Sequence, residues 1–276
     1  MVDENVVSEH YKHSQLLELI ENGLKEIGKS KDSATVEDLA PVDEFHIGGR
    51  AATEHLMKQL AFNQSDKILD VGCGLGGASR FIAKTYQNSV TGIDLTDDYV
   101  TVGNTLSAWV GLNDSVSLHQ GSALNMPFKE ASFDGAYMLH VGMNIEDKDT
   151  LFSQISRVLK SRSKLGVYDI MRTFEGTLSY PVPWASDDSF SFLAQSEEYS
   201  ALLENAGFKI ECINNRKDFA LGFFKQLKEK TEANNGPPPL GLHLLMESTT
   251  PVKIKNVIEN MVNGLISPVE IVAQKI

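Results

Sequence analysis

An apolar run, Ile68-Leu69, ends in the acid Asp70, and a glycine ladder follows: Gly72, Gly74, Gly76 and Gly77, with Cys73 inside the turn. Such a stretch reads as a buried parallel strand, a tight turn and the start of a helix. Glycine permits positive φ and lets a ligand come close to the backbone. The free N–H groups at a helix start can hold polar ligand atoms. A second run, Ser89 to Leu95, carries Asp94 near its end. A carboxylate at that place can accept from both hydroxyls of a ribose. The chemistry these residues suit is the binding of a nucleoside-containing cofactor.

Two patterns overlap here. Gly72, Gly74 and Gly77 match the dinucleotide pattern G-x-G-x-x-G, a weak signal alone. Asp70, Gly72, Gly74 and Gly76 match acid-x-Gly-x-Gly-x-Gly. Asp70 lies beside the turn where a dinucleotide would put its pyrophosphate, and like charges repel there. A carboxylate suits a ligand with an ammonium group and no phosphate, and S-adenosylmethionine is such a ligand. Asp94 fits either cofactor; the pair Asp70 and Asp94 favours S-adenosylmethionine. The competing structural reading makes Asp70 a helix cap and Asp94 a surface acid.

The elements that must position these residues alternate along the chain. Two amphipathic helices come first, over His10 to Ile27 and Arg50 to Leu60, with a loop and short helical piece over Lys29 to Pro41. Strands are then expected to end at Asp70 and Leu95, and to lie at Val116 to His119, Ser132 to Leu139, Lys164 to Ile170, Phe208 to Ile213 and Pro268 to Gln274. Helices are expected at Gly76 to Tyr86, Asp97 to Val110, Glu146 to Leu159, Ser196 to Ala206, Lys217 to Lys230 and Pro251 to Asn263. The pattern predicts an α/β fold: a Rossmann-like seven-stranded, mostly parallel sheet with helices on both faces and one terminal antiparallel strand. An N-terminal helical cap is expected over residues 1–62, before a main domain over 63–276. Regularity stops over 171–195, where Tyr180-Pro181-Val182-Pro183-Trp184 lies, so a lid is expected after strand five. A helical insert is expected over 236–265.

The chain has 276 residues, 42% of them hydrophobic, and a formal net charge of -12 without a basic run. That argues against nucleic acid, whose backbone needs clustered Lys and Arg, and against anionic membranes. The longest apolar runs are far short of a membrane span. The acidic start, Met1-Val2-Asp3-Glu4-Asn5, lacks a signal-peptide core. Cys73 and Cys212 make no disulfide or metal framework, so a reduced, cytoplasmic protein without a metal is expected. A homodimer stays open.

From about Asp66 to Ile213 the chain resembles class I S-adenosylmethionine-dependent methyltransferases, on Asp70 to Gly76, Asp94, Gln120 to Phe128 and Ser132 to Tyr137. The ends narrow the resemblance. Val42 to Arg50 is similar to the pre-core segment of small-molecule N-methyltransferases. Tyr180 to Ala185, Leu240 to Met246 and Ser267 to Ile271 resemble sarcosine/dimethylglycine N-methyltransferases, which make glycine betaine. The resemblance implies cofactor contacts at Gly48, Asp70, Gly72, Cys73, Gly74, Asp94, Leu95, Ser122, Ala123 and Leu139. Many members carry an acid where this chain has Ser122, so the adenine contact is expected to be led by the backbone.

An amine attacking a sulfonium methyl needs mainly alignment and desolvation. A carboxylate on the acceptor needs a partner, with Arg172 first choice and Arg50 second. Arg50 has a rival role on the cofactor's own carboxylate. A methylated ammonium favours aromatic faces, for which Trp184, Tyr180, Tyr11 and Phe45 are candidates. Trp184 packing the lid on the core is the plainer reading. The amine must lose a proton, and His140, beside the expected methyl position, is the candidate base. His140 bonded to a backbone carbonyl is the alternative, with desolvation lowering the amine's pKa instead. Phosphoethanolamine as acceptor, a nicotinamide-dependent oxidoreductase and a non-catalytic regulator are the rival functions.

Overall fold

A computed structural model describes Glu4, Tyr11 and residues 15–276. The strands are β1 (Lys67–Val71), β2 (Ser89–Asp94), β3 (Val116–Gln120), β4 (Phe133–Leu139), β5 (Leu159–Arg172), β6 (Phe208–Asn215) and β7 (Ile266–Lys275). They form one sheet in the order β3-β2-β1-β4-β5-β7-β6. The first five are parallel, and β7 runs antiparallel between β5 and β6. This is the expected Rossmann-like α/β sheet. The run Ile68 to Val71 is buried throughout, as a central parallel strand covered on both faces must be.

Helices cover both faces. They are α1 (Leu16–Glu26), α2 (Val36–Asp43), α3 (Gly49–Leu60), α4 (Gly77–Tyr86), α5 (Asp97–Trp109), α6 (Lys148–Val158), α7 (Ser196–Asn205), α8 (Lys217–Ala233), the short α9 (His243–Met246) and α10 (Thr250–Val262). The start of the first helix expected at His10 lies outside the described residues. The expected short helical piece before the second long helix is α2. Thr35 and Asp38 form a reciprocal capping box at its start.

One apolar core packs β1, β4 and β5 against α6 and α7, through Leu69, Met138, Val167, Phe152 and Tyr199. On the other face Leu56 and Leu60 of α3 join Ile68, Ile82 and Tyr137. Gly166 lets α3 lie close, since a Cβ there would come within 2.8 Å of Leu60.

Strand β5 continues past the expected Ile170 because β7 keeps pairing with it, down to Arg172 opposite Ile266. The segment 171–195 is irregular, as expected. It is tied to α10: Asn260 donates to Ser179 O and accepts from Ser179 N, and Asn256 donates to Pro181 O. The lid and the helical insert therefore act as one wall over the carboxyl ends of the strands. Among the described residues no helix is long and apolar enough to cross a membrane.

Candidate active site

The glycine turn after β1 is locked to the end of β2. The N–H groups of Gly72 and Cys73 both donate to Ile93 O, at 2.8 and 3.1 Å. Gly74, at φ 51°, donates to Asp94 Oδ2 at 2.8 Å, and Thr96 N donates to Oδ1 at 2.9 Å. Asp94 is thus held rigidly from behind. The Thr96 side chain and the Leu95 backbone also hydrogen-bond this residue, which lines the chamber. Its carboxyl is raised above the usual range by burial.

Asp70 is 3% exposed, and its Oδ2 accepts from Ser79 Oγ (2.6 Å) and Tyr137 Oη (2.7 Å). Burial outweighs those two bonds and pushes its pKa up to about 6. Behind the turn lies a fully buried ion pair. Arg80 Nη2 donates to Asp43 Oδ2 and to Leu75 O, each at 2.6 Å, and Nη1 donates to Gly103 O. Cys73 is buried with its thiol pushed up by desolvation, so it serves as a small wall residue and not as a nucleophile.

These residues open on a chamber of about 1780 Å3. Its cofactor side is lined by Gly48, Asp70, Gly72, Cys73, Gly74, Asp94, Leu95, Ala123 and Leu139, all named from sequence. Tyr11, Arg50, His140 and Trp184 line it as well. Two further expectations fail geometrically. Arg172 does not line the chamber: the strand carries it outward, where Nη1 donates to Gly176 O beside Glu175, Glu197 and Glu198. Tyr180 packs against the apolar cluster under the lid and stays outside the chamber. Ser122 turns its hydroxyl to Glu4 and to the N–H of Leu124, leaving Gly121, Ala123 and Leu124 to face the chamber.

His140 follows β4 in a left-handed conformation, φ 56°, which a side-chain-bearing residue rarely adopts. Its backbone N–H donates to Tyr168 O at 2.7 Å, and ring Nδ1 lies 3.2 Å from that same oxygen. Nε2 accepts from Ile47 N–H at 3.3 Å. Burial, reinforced by His46, pushes its pKa down to about 3. The ring is a neutral strut with both nitrogens engaged, the alternative to a base. His46 is likewise pushed down to about 4 by burial, and its Nε2 lies 3.1 Å from Gly49 O.

Glu44 and Asn144 line the chamber without having carried an individual sequence signal. Glu44, 3% exposed, accepts from Arg50 Nε and from Thr53 Oγ1 (2.8 Å). Burial lifts it to about 7 against the pull of Arg50. Asn144, in the turn after His140, accepts from Tyr11 Oη (3.1 Å) and donates to Trp184 O (2.8 Å), joining the N-terminal segment to the lid. Trp184 itself is 3% exposed, with Nε1 donating to Ser191 Oγ, so it packs the lid while also walling the chamber. His243 lines the chamber too.

The donor set fits S-adenosylmethionine. Asp94 presents a carboxylate to the chamber as an acceptor for ribose hydroxyls. Among the described residues, Arg50 Nη2 and Asp43 Oδ1 are buried without a hydrogen-bond partner, on residues that line the chamber. Their opposite charges are those a methionine-like carboxylate and ammonium call for. Two carboxylates beside the glycine turn, Asp43 and Asp70, disfavour a pyrophosphate there. Among the described residues no group of three His, Cys, Asp or Glu is placed to hold a metal.

Comparison with known proteins agrees with this geometry. Residues 69–167 match the family described as methyltransferase domain. The chain is similar to methyltransferase GfsG of Streptomyces halstedii, 28% identical over 63% of this chain and 63% of that one. The aligned stretch therefore falls short of two thirds of that relative's length. Phosphoethanolamine N-methyltransferase 2 of Haemonchus contortus, solved with S-adenosyl-L-methionine, superposes with TM-score 0.73 at 19% identity, over 100% of this chain and 60% of that one. A putative sarcosine dimethylglycine methyltransferase of Galdieria sulphuraria superposes with TM-score 0.64 at 19% identity, over 82% and 84%. Residues 69–167 are thus similar to a methyltransferase domain, on a fold shared with these solved structures.

Proposed function

We propose that the protein is an N-methyltransferase that moves the methyl group of S-adenosylmethionine to a small-molecule amine, with dimethylglycine and sarcosine as its simplest acceptors. When bound, the cofactor supplies an electrophilic methyl group on a sulfonium. The observation that carries the amine reading is His140: its Nε2 accepts from Ile47 N–H and its Nδ1 faces Tyr168 O, so both ring nitrogens are engaged within the protein. A hydroxyl acceptor needs a base to take its proton. A tertiary amine in free-base form has none to lose: its lone pair forms the N–C bond, and the C–S pair stays on sulfur. A tertiary alkylamine has a pKa of roughly 10 in water, by analogy with lysine. The apolar chamber lowers it by disfavouring the ammonium form. Tyr11, Asn144 and Trp184, joined by hydrogen bonds, line the chamber and would help shield the amine from water.

The likeness to the Galdieria protein supports the dimethylglycine reading. A phosphorylated acceptor is less well served. The lysines lining the chamber, Lys225, Lys228, Lys230 and Lys255, all stand on its exposed rim.

The test is an endpoint methylation assay on glycine, sarcosine, dimethylglycine and phosphoethanolamine, read by mass spectrometry of the amine products. Betaine formed from dimethylglycine supports the reading. Turnover on phosphoethanolamine alone overturns the acceptor, and failure to bind S-adenosylmethionine overturns the reaction.

A further inference from the structure

We propose that α8 and α10 wall an apolar subsite for a hydrocarbon substituent on the acceptor amine, so that N,N-dimethylalkylamines bind better than dimethylglycine. The inference rests on the N-methyltransferase reading above and names its acceptor class.

Volume is the first argument. Pockets for drug-sized ligands span about 300–1,000 Å3, and this chamber has about 1780 Å3. A cofactor of that size leaves room for a second ligand of comparable bulk. Dimethylglycine fills only a small part of it.

Placement is the second argument. Leu221, Phe224 and Leu227 recur at helical spacing on one face of α8, and Ile254, Val257 and Ile258 do so on α10. All six line the chamber. These faces are not all sealed against protein: Leu227 is 38% exposed, and Leu221, Ile254 and Ile258 are half-buried. Meanwhile the opposite side of α10 is spent on holding the lid, through Asn256 and Asn260.

Continuity is the third argument. Phe224 and Val257 belong to the same apolar cluster as Met143 and Trp184. Met143 lies in the turn that follows His140. An unbroken apolar wall therefore runs from the methyl-transfer end of the chamber out to α8 and α10. An amine at that end with an alkyl chain along the wall would shed water over its whole length.

The experiment compares dimethylglycine with N,N-dimethylbutyl-, hexyl- and octylamine at saturating S-adenosylmethionine. In parallel, calorimetry measures binding of each amine to the protein loaded with S-adenosylhomocysteine. The expected result is a KM and a Kd that fall about three- to fourfold for each methylene buried, levelling once the subsite is full. Ile258→Trp, which fills the space, flattens that gradient while S-adenosylmethionine still binds, showing an intact fold. Affinity that ignores chain length, with dimethylglycine turned over, overturns the subsite and leaves the reaction standing. Affinity that rises with chain length without any methylation supports the subsite and overturns the amine reaction.

Discussion

Replacing Asp94 by alanine removes several hydrogen bonds at once. Internally the carboxylate accepts from the N–H groups of Gly74 and Thr96 at 2.8 and 2.9 Å. The carboxylate also lines the chamber, where a ribose would donate two hydroxyl protons. Hydrogen bonds to charged groups are worth roughly 1.5–3 kcal/mol net. Water rehydrates the freed Gly74 N–H, which lines the open chamber, and so limits the structural cost. Taking about 1.5–3 kcal/mol for the two ribose contacts together, the Kd for S-adenosylmethionine should rise about 10- to 150-fold. Asp94→Asn keeps one carbonyl acceptor and should lose about half that free energy. Calorimetric titration with S-adenosylmethionine measures the effect, and a cooperative melt of each variant shows that the fold survives. A folded Asp94→Ala protein with a Kd within about twofold of wild type would refute the assignment of this carboxylate to the ribose.

Arg80→Met leaves Asp43 charged and unpaired in a fully buried place, so unfolding should cost about 3–5 kcal/mol less in urea titration. A loss below about 1 kcal/mol, the level of an exposed pair, would contradict its structural role. For His140 the folded pKa is depressed to about 3 by burial. The unfolded ring, near 6.5, then takes up a proton that the folded ring refuses. Stability from this group is complete above pH 6.5 and declines as pH falls toward 3, by at most about 1.4 kcal/mol per pH unit. Urea midpoints at pH 7 and pH 5 should show wild type losing ground to His140→Asn; a constant difference between them would contradict the neutral strut. Arg172→Ala should leave acceptor KM unchanged, and a tenfold rise would return the guanidinium to the acceptor's carboxylate.

The cofactor half of the site was legible because it is local. Asp70, Gly72 and Gly74 act through a single strand-turn-helix junction, and Asp94 through the next strand end, so adjacency along the chain stands in for adjacency in space. The hydrophobic periodicity likewise carried the order of strands and helices. It placed most ends within a few residues, missing where pairing rather than burial sets the end, as at Arg172 opposite Ile266.

The acceptor half depended on tertiary structure. Arg172 stands just past the end of β5, where a carboxylate partner would be useful, but which way its side chain leaves the strand is set by the pairing with β7 and by the Gly176 carbonyl. His140 has the right residue type beside the methyl position. Yet its protonation is decided by burial and by His46, and its ring is oriented by Ile47 and Tyr168, at sequence separations of 93 and 28. Glu44, Arg50 and Thr53 form a buried network that no single-residue pattern announces. The chamber's apolar wall comes from α8 and α10, whose leucines and isoleucines read in sequence as ordinary core stripes. Which stripe meets protein and which meets a cavity is a property of how the helices dock. The amino-acid sequence alone thus determined the strand-and-helix order and the residues of the cofactor turn, because both are written in short-range patterns. Side-chain direction, protonation and the space left for an acceptor were decided only when distant elements packed together.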